Sequence, residues 1–191
     1  GAGIGAALSV FGAFAVTYYQ LHRQARANEQ AREQALRAAK AILTSDLSHI
    51  CGYLRSCATT LNQMAVAVAR GGGRPPIPCP AFPQDALLRC ERVVSLADET
   101  SANVIIDFME AAQVQRARFE DQVAAYNDAG GRLSRMGSVN DLDLSLRSVI
   151  GLYALAENLF DYARRRTSVA KELVATRDGI RNTARILDLR S

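Results

Sequence analysis

All five prolines of this 191-residue chain fall between Gly71 and Gln84, in the run GGGRPPIPCPAFPQ. A proline inside a helix removes a backbone donor and clashes with the preceding turn, so their confinement leaves the rest of the chain free to be helical. The other loop-like stretch is DAGGRLSRMGSVND, from Asp128 to Asp141, which ends in cap-forming residues. Two breaks make three long segments. None shows the two-residue alternation of a half-buried strand, and no internal repeat relates them. Apolar residues make up 49% of the chain, but aromatics only 6% and Trp is absent, so the core must be built from Leu, Val, Ile and Ala. The expected class is all-α: a single N-terminal transmembrane helix continuing into a long antiparallel three-helix bundle of coiled-coil character. In numbers, 1–22 is the anchor and 23–191 the bundle. Its helices cover about 23–70, 85–128 and 140–188, joined by a Pro-rich loop, 71–84, and a Gly-rich loop, 129–139.

The anchor is read from GAGIGAALSVFGAFAVTYY, which carries no charge. As a helix it would be roughly 28 Å long, close to the ~30 Å hydrocarbon core of a bilayer. A dinucleotide-binding loop would need a strand before its glycines and an acidic residue about 20 positions later. Neither is present. Gly1, Gly5, Ser9 and Ala13 recur every four residues as a stripe of small side chains, the pattern that lets membrane helices approach closely. Tyr18, Tyr19, His22 and Arg23 follow as a headgroup-level belt. From Gln20 to Leu43 there are five basic residues against two acidic ones. Such an excess beside a span tends to stay in the cytoplasm, which points to a single-pass protein of a bacterial inner membrane with its C-terminal domain cytoplasmic. The rival is export after signal-peptide cleavage at Ala13-Phe14-Ala15, leaving a mature chain that begins at Val16.

Beyond the anchor, Leu43, Leu47, Ile50, Leu54, Cys57, Leu61, Met64 and Val68 alternate spacings of four and three, the sharpest periodic signal in the chain. Thr44-Ser45-Asp46 could cap a new helix or bend the old one. The second segment continues the pattern through Leu87, Cys90, Val94, Ala97, Ser101, Val104, Phe108 and Ala111, then weakens beyond Val114. The third carries Leu142, Leu146, Val149, Leu152, Ala156, Leu159, Ala163, Ala170, Leu173, Ile180, Ala184 and Leu187 on one broad face. The expected core therefore includes Leu43, Leu47, Ile50, Leu54, Leu61, Val94, Phe108, Val149 and Leu159. An antiparallel register with Arg70 opposite Asp85 would set Cys90 near Met64 and Ala65.

Twenty-three basic residues against 19 acidic ones give a net charge of +4. The middle segment from Asp85 to Asp128 holds nine acidic residues and four Arg, so its flanking segments have a structural use for their positive charge. The runs YARRRTS and Arg177, Arg181, Arg185 lack interleaved aromatics or a recognised fold, and nucleic acid is not an expected partner. Four cysteines without a CxxC spacing, and only two histidines, His22 and His49, give no metal set and no catalytic triad. The ferritin-type Glu-x-x-His is absent. The expectation is a protein without catalytic residues, metal or cofactor, whose partners are the lipid bilayer and either a second copy of itself or another protein. It would act as an interaction or scaffold module. A small-ligand sensor, with a pocket opening between Ala-rich helices, is the alternative.

Overall fold

In the computed structural model, the backbone is described for residues 2–70, 76–128 and 139–170, and the side chains for 17–69, 76–128 and 141–170. All regular structure among these residues is helical: α1 (Ala2–Arg70), α2 (Gln84–Leu96), α3 (Glu99–Asp128) and α4 (Val139–Ala163). Among the described residues no helix is long and apolar enough to cross a membrane. The side chains of Gly1, Gly5, Ser9 and Ala13 lie outside those described.

The chain divides into two units, Gly1–Ala38 and Ala39–Ser191. In the first unit the side chains of 17–34 are exposed, and an i,i+4 pair between Glu33 and Arg37 at 3.6 Å supports the helix locally. Local propensity carries this stretch. Its Ala, Gln, Glu and Arg residues all lose little rotamer freedom in a helix.

The second unit is a helical bundle. On α1 the positions Leu43, Leu47, Ile50, Leu54, Cys57, Leu61, Met64 and Val68 are all buried. Contacts along their length give the direction of each neighbour. Arg89 pairs with Asp46 and Phe82 packs on Tyr53, so α2 runs antiparallel to α1. Tyr53 also meets Phe119, and Lys40 lies within electrostatic reach of Asp98, so α3 runs parallel to α1. Gln122 bonds Ser145, Arg55 reaches Tyr153 and Lys40 sits over Tyr162, which turns α4 back again. The order is up, down, up, down.

Among the described residues four helices stand where three were expected, because the segment 85–128 is broken at Ala97–Asp98. Neither glycine nor proline makes the break. Asp98 caps α3: its carboxylate accepts the Ser101 amide at 2.9 Å and the Ser101 hydroxyl at 2.7 Å. Ala97 leaves the helix with extended backbone angles. Thr44-Ser45-Asp46 offers similar residues but caps nothing. There the Thr44 hydroxyl donates back to the Lys40 carbonyl, Asp46 turns to α2, and α1 runs on.

The expected register is also corrected. Pairing of Arg89 with Asp46 puts Cys90 about 27 Å along α1 from the predicted level of Met64. The reason is that residues 76–82 are not helical but run lengthwise along the bundle, from Ile77 beside Asn127 to Phe82 beside Tyr53. At ~3 Å per residue they cover a length of bundle that would take about twice as many helical residues. The bundle's second member is therefore half extended strap and half α2. At the far end α4 stops at Ala163, short of the expected 188. Arg165 adopts φ 61°, and the Arg165 and Arg166 amides donate to the Tyr162 and Asp161 carbonyls, a Schellman closure with Arg in the position glycine usually takes. Residues 171–191 lie outside the described residues.

Candidate functional site

Four places concentrate chemistry, and they are built by different means. The first is the exposed belt on α1. Tyr18 and Tyr19 are 66% and 67% exposed, and Tyr18 packs edge-on against His22 at 4.4 Å. The i,i+4 spacing makes that ring pair. With Arg23 and Arg26 these residues line one shallow depression. Two aromatic hydroxyls, an imidazole and two guanidiniums share about two turns of one helix.

A buried polar cluster closes the end of the bundle where α3 begins. Lys40 is buried, and its ammonium lies 3.4 Å from the centre of the Tyr162 ring. Burial holds its pKa below the ordinary lysine value, with Asp98 opposing that shift and Arg165 adding to it. Ser101, fully buried, donates to Asp98 and accepts the Ala170 amide at 3.0 Å. The Tyr162 hydroxyl lies beside Ser101 without a hydrogen bond of good geometry, and burial raises its pKa. A neutral Ser, a capped carboxylate and a ring-covered ammonium fix the meeting point of α1, α3 and α4. None is arranged as nucleophile and base.

The third place is Asp46, 1% exposed, gripped by Arg89 through bonds of 2.6, 2.9 and 3.2 Å. A carboxylate on α1 facing an arginine on the acidic segment is the reverse of the expected charge pattern. Bidentate geometry makes this contact specific in a way that diffuse complementarity is not.

The fourth is the strap. The Asn127 side-chain amide accepts from the Ile77 amide at 2.9 Å and donates to the Ile77 carbonyl at 3.0 Å, pairing the strap to α3 as a strand neighbour would. Phe82 sits between Tyr53, at 5.0 Å, and the Arg116 guanidinium, at 4.9 Å. Arg116 is itself held by Glu120 and Gln84. Cys79, Phe82, Arg116, Glu120 and Asn127 border a groove of about 520 Å³. A second groove, about 430 Å³, lies between α1 and α4 with Gly52 and Cys51 among its lining residues and both signs of charge at its rim.

Of the other expected core residues, Phe108, Val149 and Leu159 are buried, whereas Val94 is half-buried and Val93 takes the inward position on α2. Ala111 and Val114 face outward, and the inner face of α3 continues through Ala112, Gln115, Phe119, Val123 and Tyr126. Arg164 stacks on Phe160 and Arg166 reaches Asp161 at 3.5 Å, so two members of the YARRRTS run engage α4 itself. Arg177, Arg181 and Arg185 lie outside the described residues. All four cysteines are free thiols, and among the described residues no group of three or more His, Cys, Asp or Glu could hold a metal ion. The Lys40 cluster, the Asp46–Arg89 pair and the Asn127 clamp were not anticipated. Of these only Asp98-x-x-Ser101 had a sequence signal, a cap-box spacing inside an apparently unbroken segment. No protein-family model, curated protein or solved structure matches this chain.

Proposed function

We propose that the chain is a membrane-tethered, non-enzymatic helical bundle that serves as an interaction or scaffold module and self-associates through its anchor. The observation that carries this reading is the passage from an uncharged run, Gly1 to Val16, into the exposed belt of Tyr18, Tyr19, His22 and Arg23. Aromatic rings and a first fixed charge at that position suit the headgroup layer. The basic excess that follows favours the cytoplasmic face of a single-pass anchor. The bilayer is one partner and a second copy of the chain the other. Gly1, Gly5, Ser9 and Ala13 form the contact stripe.

Crosslinking in native membranes through a cysteine introduced at Ala13 tests the reading. A leucine at a helix crossing separates the backbones, and apolar attraction cannot compensate because lipid is equally apolar. Gly5→Leu should therefore reduce the dimer yield about tenfold, a loss of about 1.4 kcal/mol in association. Leu8→Ala, toward another face, should leave it unchanged. Equal crosslinking of Gly5→Leu and the parent would contradict self-association through this stripe.

A further inference from the structure

We propose that Cys57 and Cys79 are a redox pair whose disulfide staples the strap, residues 76–83, onto α1. The register brings them together. Phe82 packs on Tyr53 at 5.0 Å, which aligns those two residues. Cys57 lies one turn further along α1 on the same face, about 6 Å up the axis. From Phe82 back to Cys79 the antiparallel strap climbs three residues, about 9 Å in the same direction. The two residues therefore differ in level along the bundle by only about 3 Å, the matched register that a disulfide between them requires.

Independent contacts hold the strap there. Asn127 clamps Ile77 from α3 by two hydrogen bonds, and Cys79 shares its groove with Phe82, Glu120 and Asn127. Phe119 of α3 also faces Tyr53, at 6.5 Å, so the ring on which Phe82 rests is held from both sides. Charge on Cys79 acts on both Tyr53 and Cys57, as neighbours would. The other thiols are placed elsewhere: Cys51 lines the α1–α4 groove, and Cys90 lies within electrostatic reach of Asp46. Cys79 is exposed and meets an oxidant first, whereas Cys57 is 1% exposed.

With a peroxide as oxidant, the Cys79 thiolate attacks the peroxide oxygen, the O–O bond breaks, and the sulfur becomes a sulfenic acid as water or an alcohol leaves. The Cys57 sulfur then attacks Cys79 Sγ. The S–S bond forms, the S–O bond breaks, and the departing hydroxide takes the Cys57 proton as water. Two thiols and one peroxide become one disulfide, one water from the second step, and one water or one alcohol from the first. Burial and Glu120 raise the Cys79 pKa, so the first step is slow at neutral pH and quickens as pH rises. Once formed, the bond prevents the strap from lifting off α1 and α3.

The test is peptide mapping of the full chain after hydrogen peroxide treatment and alkylation under denaturing conditions. The expected product is a Cys57–Cys79 linked peptide, lighter by about 2 Da than the two reduced peptides and separated by a thiol reductant. Cys51→Ala and Cys90→Ala should leave its yield unchanged. Cys79→Ser, at an exposed position that does not threaten the core, should leave Cys57 fully alkylatable. Overoxidised Cys79 beside an alkylatable Cys57, a link to Cys51 or Cys90, a link between chains, or no oxidation at all would each overturn the proposal.

Discussion

Raising the pH from about 9 to about 10.5 should cost the bundle roughly 2 kcal/mol for each of Cys51, Cys57 and Cys90. Burial pushes each thiol from its ordinary 9.0 up to about 12, with Glu157 adding to the shift at Cys51 and Asp46 at Cys90. A buried thiol keeps its proton in the folded chain to higher pH than in the unfolded one. Between 9 and 12 the folded state therefore binds more protons, and stability complete below 9 is lost as pH climbs. Tyr53 and Tyr162, also raised by burial, act in the same direction. Lys40 acts oppositely. Its lowered pKa means the unfolded state binds more protons just below the ordinary lysine value, so its contribution improves with pH. One lysine does not offset three thiols. The summed loss of about 6 kcal/mol is comparable to the whole stability of an ordinary domain. Urea unfolding followed by circular dichroism at the two pH values measures it, and Cys90→Ala should remove about a third of the difference. A denaturation midpoint unchanged with pH would show that these thiols are not buried from water.

Phe119→Ala should destabilise the bundle by about 3–5 kcal/mol, and Leu54→Ala by about 2–5 kcal/mol. Both side chains are fully buried, one on each of the two parallel helices. Phe119 has the further burden of facing Tyr53, the ring on which Phe82 of the strap rests. Its loss should loosen the strap as well as open a cavity, so proteolysis within residues 76–83 should quicken in Phe119→Ala more than in Leu54→Ala. Arg55→Ala is the control. Arg55 is exposed and gives up one 3.3 Å bond to Tyr153, which is worth about 1 kcal/mol or less. Thermal melts of the three variants rank them, and equal effects from Leu54→Ala and Arg55→Ala would mean the α1 face has been misassigned.

Helicity was legible because helix periodicity and proline placement are local properties. The α1 heptad from Leu43 to Val68 needed nothing beyond its own spacing. The inner face of α3 was lost after Phe108 because Gln115 is polar and buried, which breaks an apolar pattern although the helix continues. The break at Asp98 was missed for a related reason: a cap made from Asp and Ser ends one helix and starts the next without the usual glycine or proline. Thr44-Ser45-Asp46 has the same residue types, and only the tertiary demand of Arg89 for Asp46 decides that α1 passes through. Proline marks the strap as non-helical but does not say where an extended segment will lie. That was settled by partners far away in sequence, Tyr53 and Asn127. The Lys40 cluster joins residues from three helices, and only its Asp98-x-x-Ser101 cap has a local signature.

The claim that the N-terminal run tethers this bundle to a bilayer is tested most directly by flotation of the full chain. Cell membranes carrying it would be washed in high salt, which screens attraction between the basic run and anionic lipid, and then spun through a density gradient. The protein should rise with the vesicles, and its mass should include the residues ahead of Val16. A Phe11→Arg, Phe14→Arg variant should remain in the dense fractions, because charges at the centre of a span cost about 2.5–3.5 kcal/mol each to insert. Parent protein left in the dense fractions after the salt wash, or recovered with Val16 as its first residue, would contradict the tether.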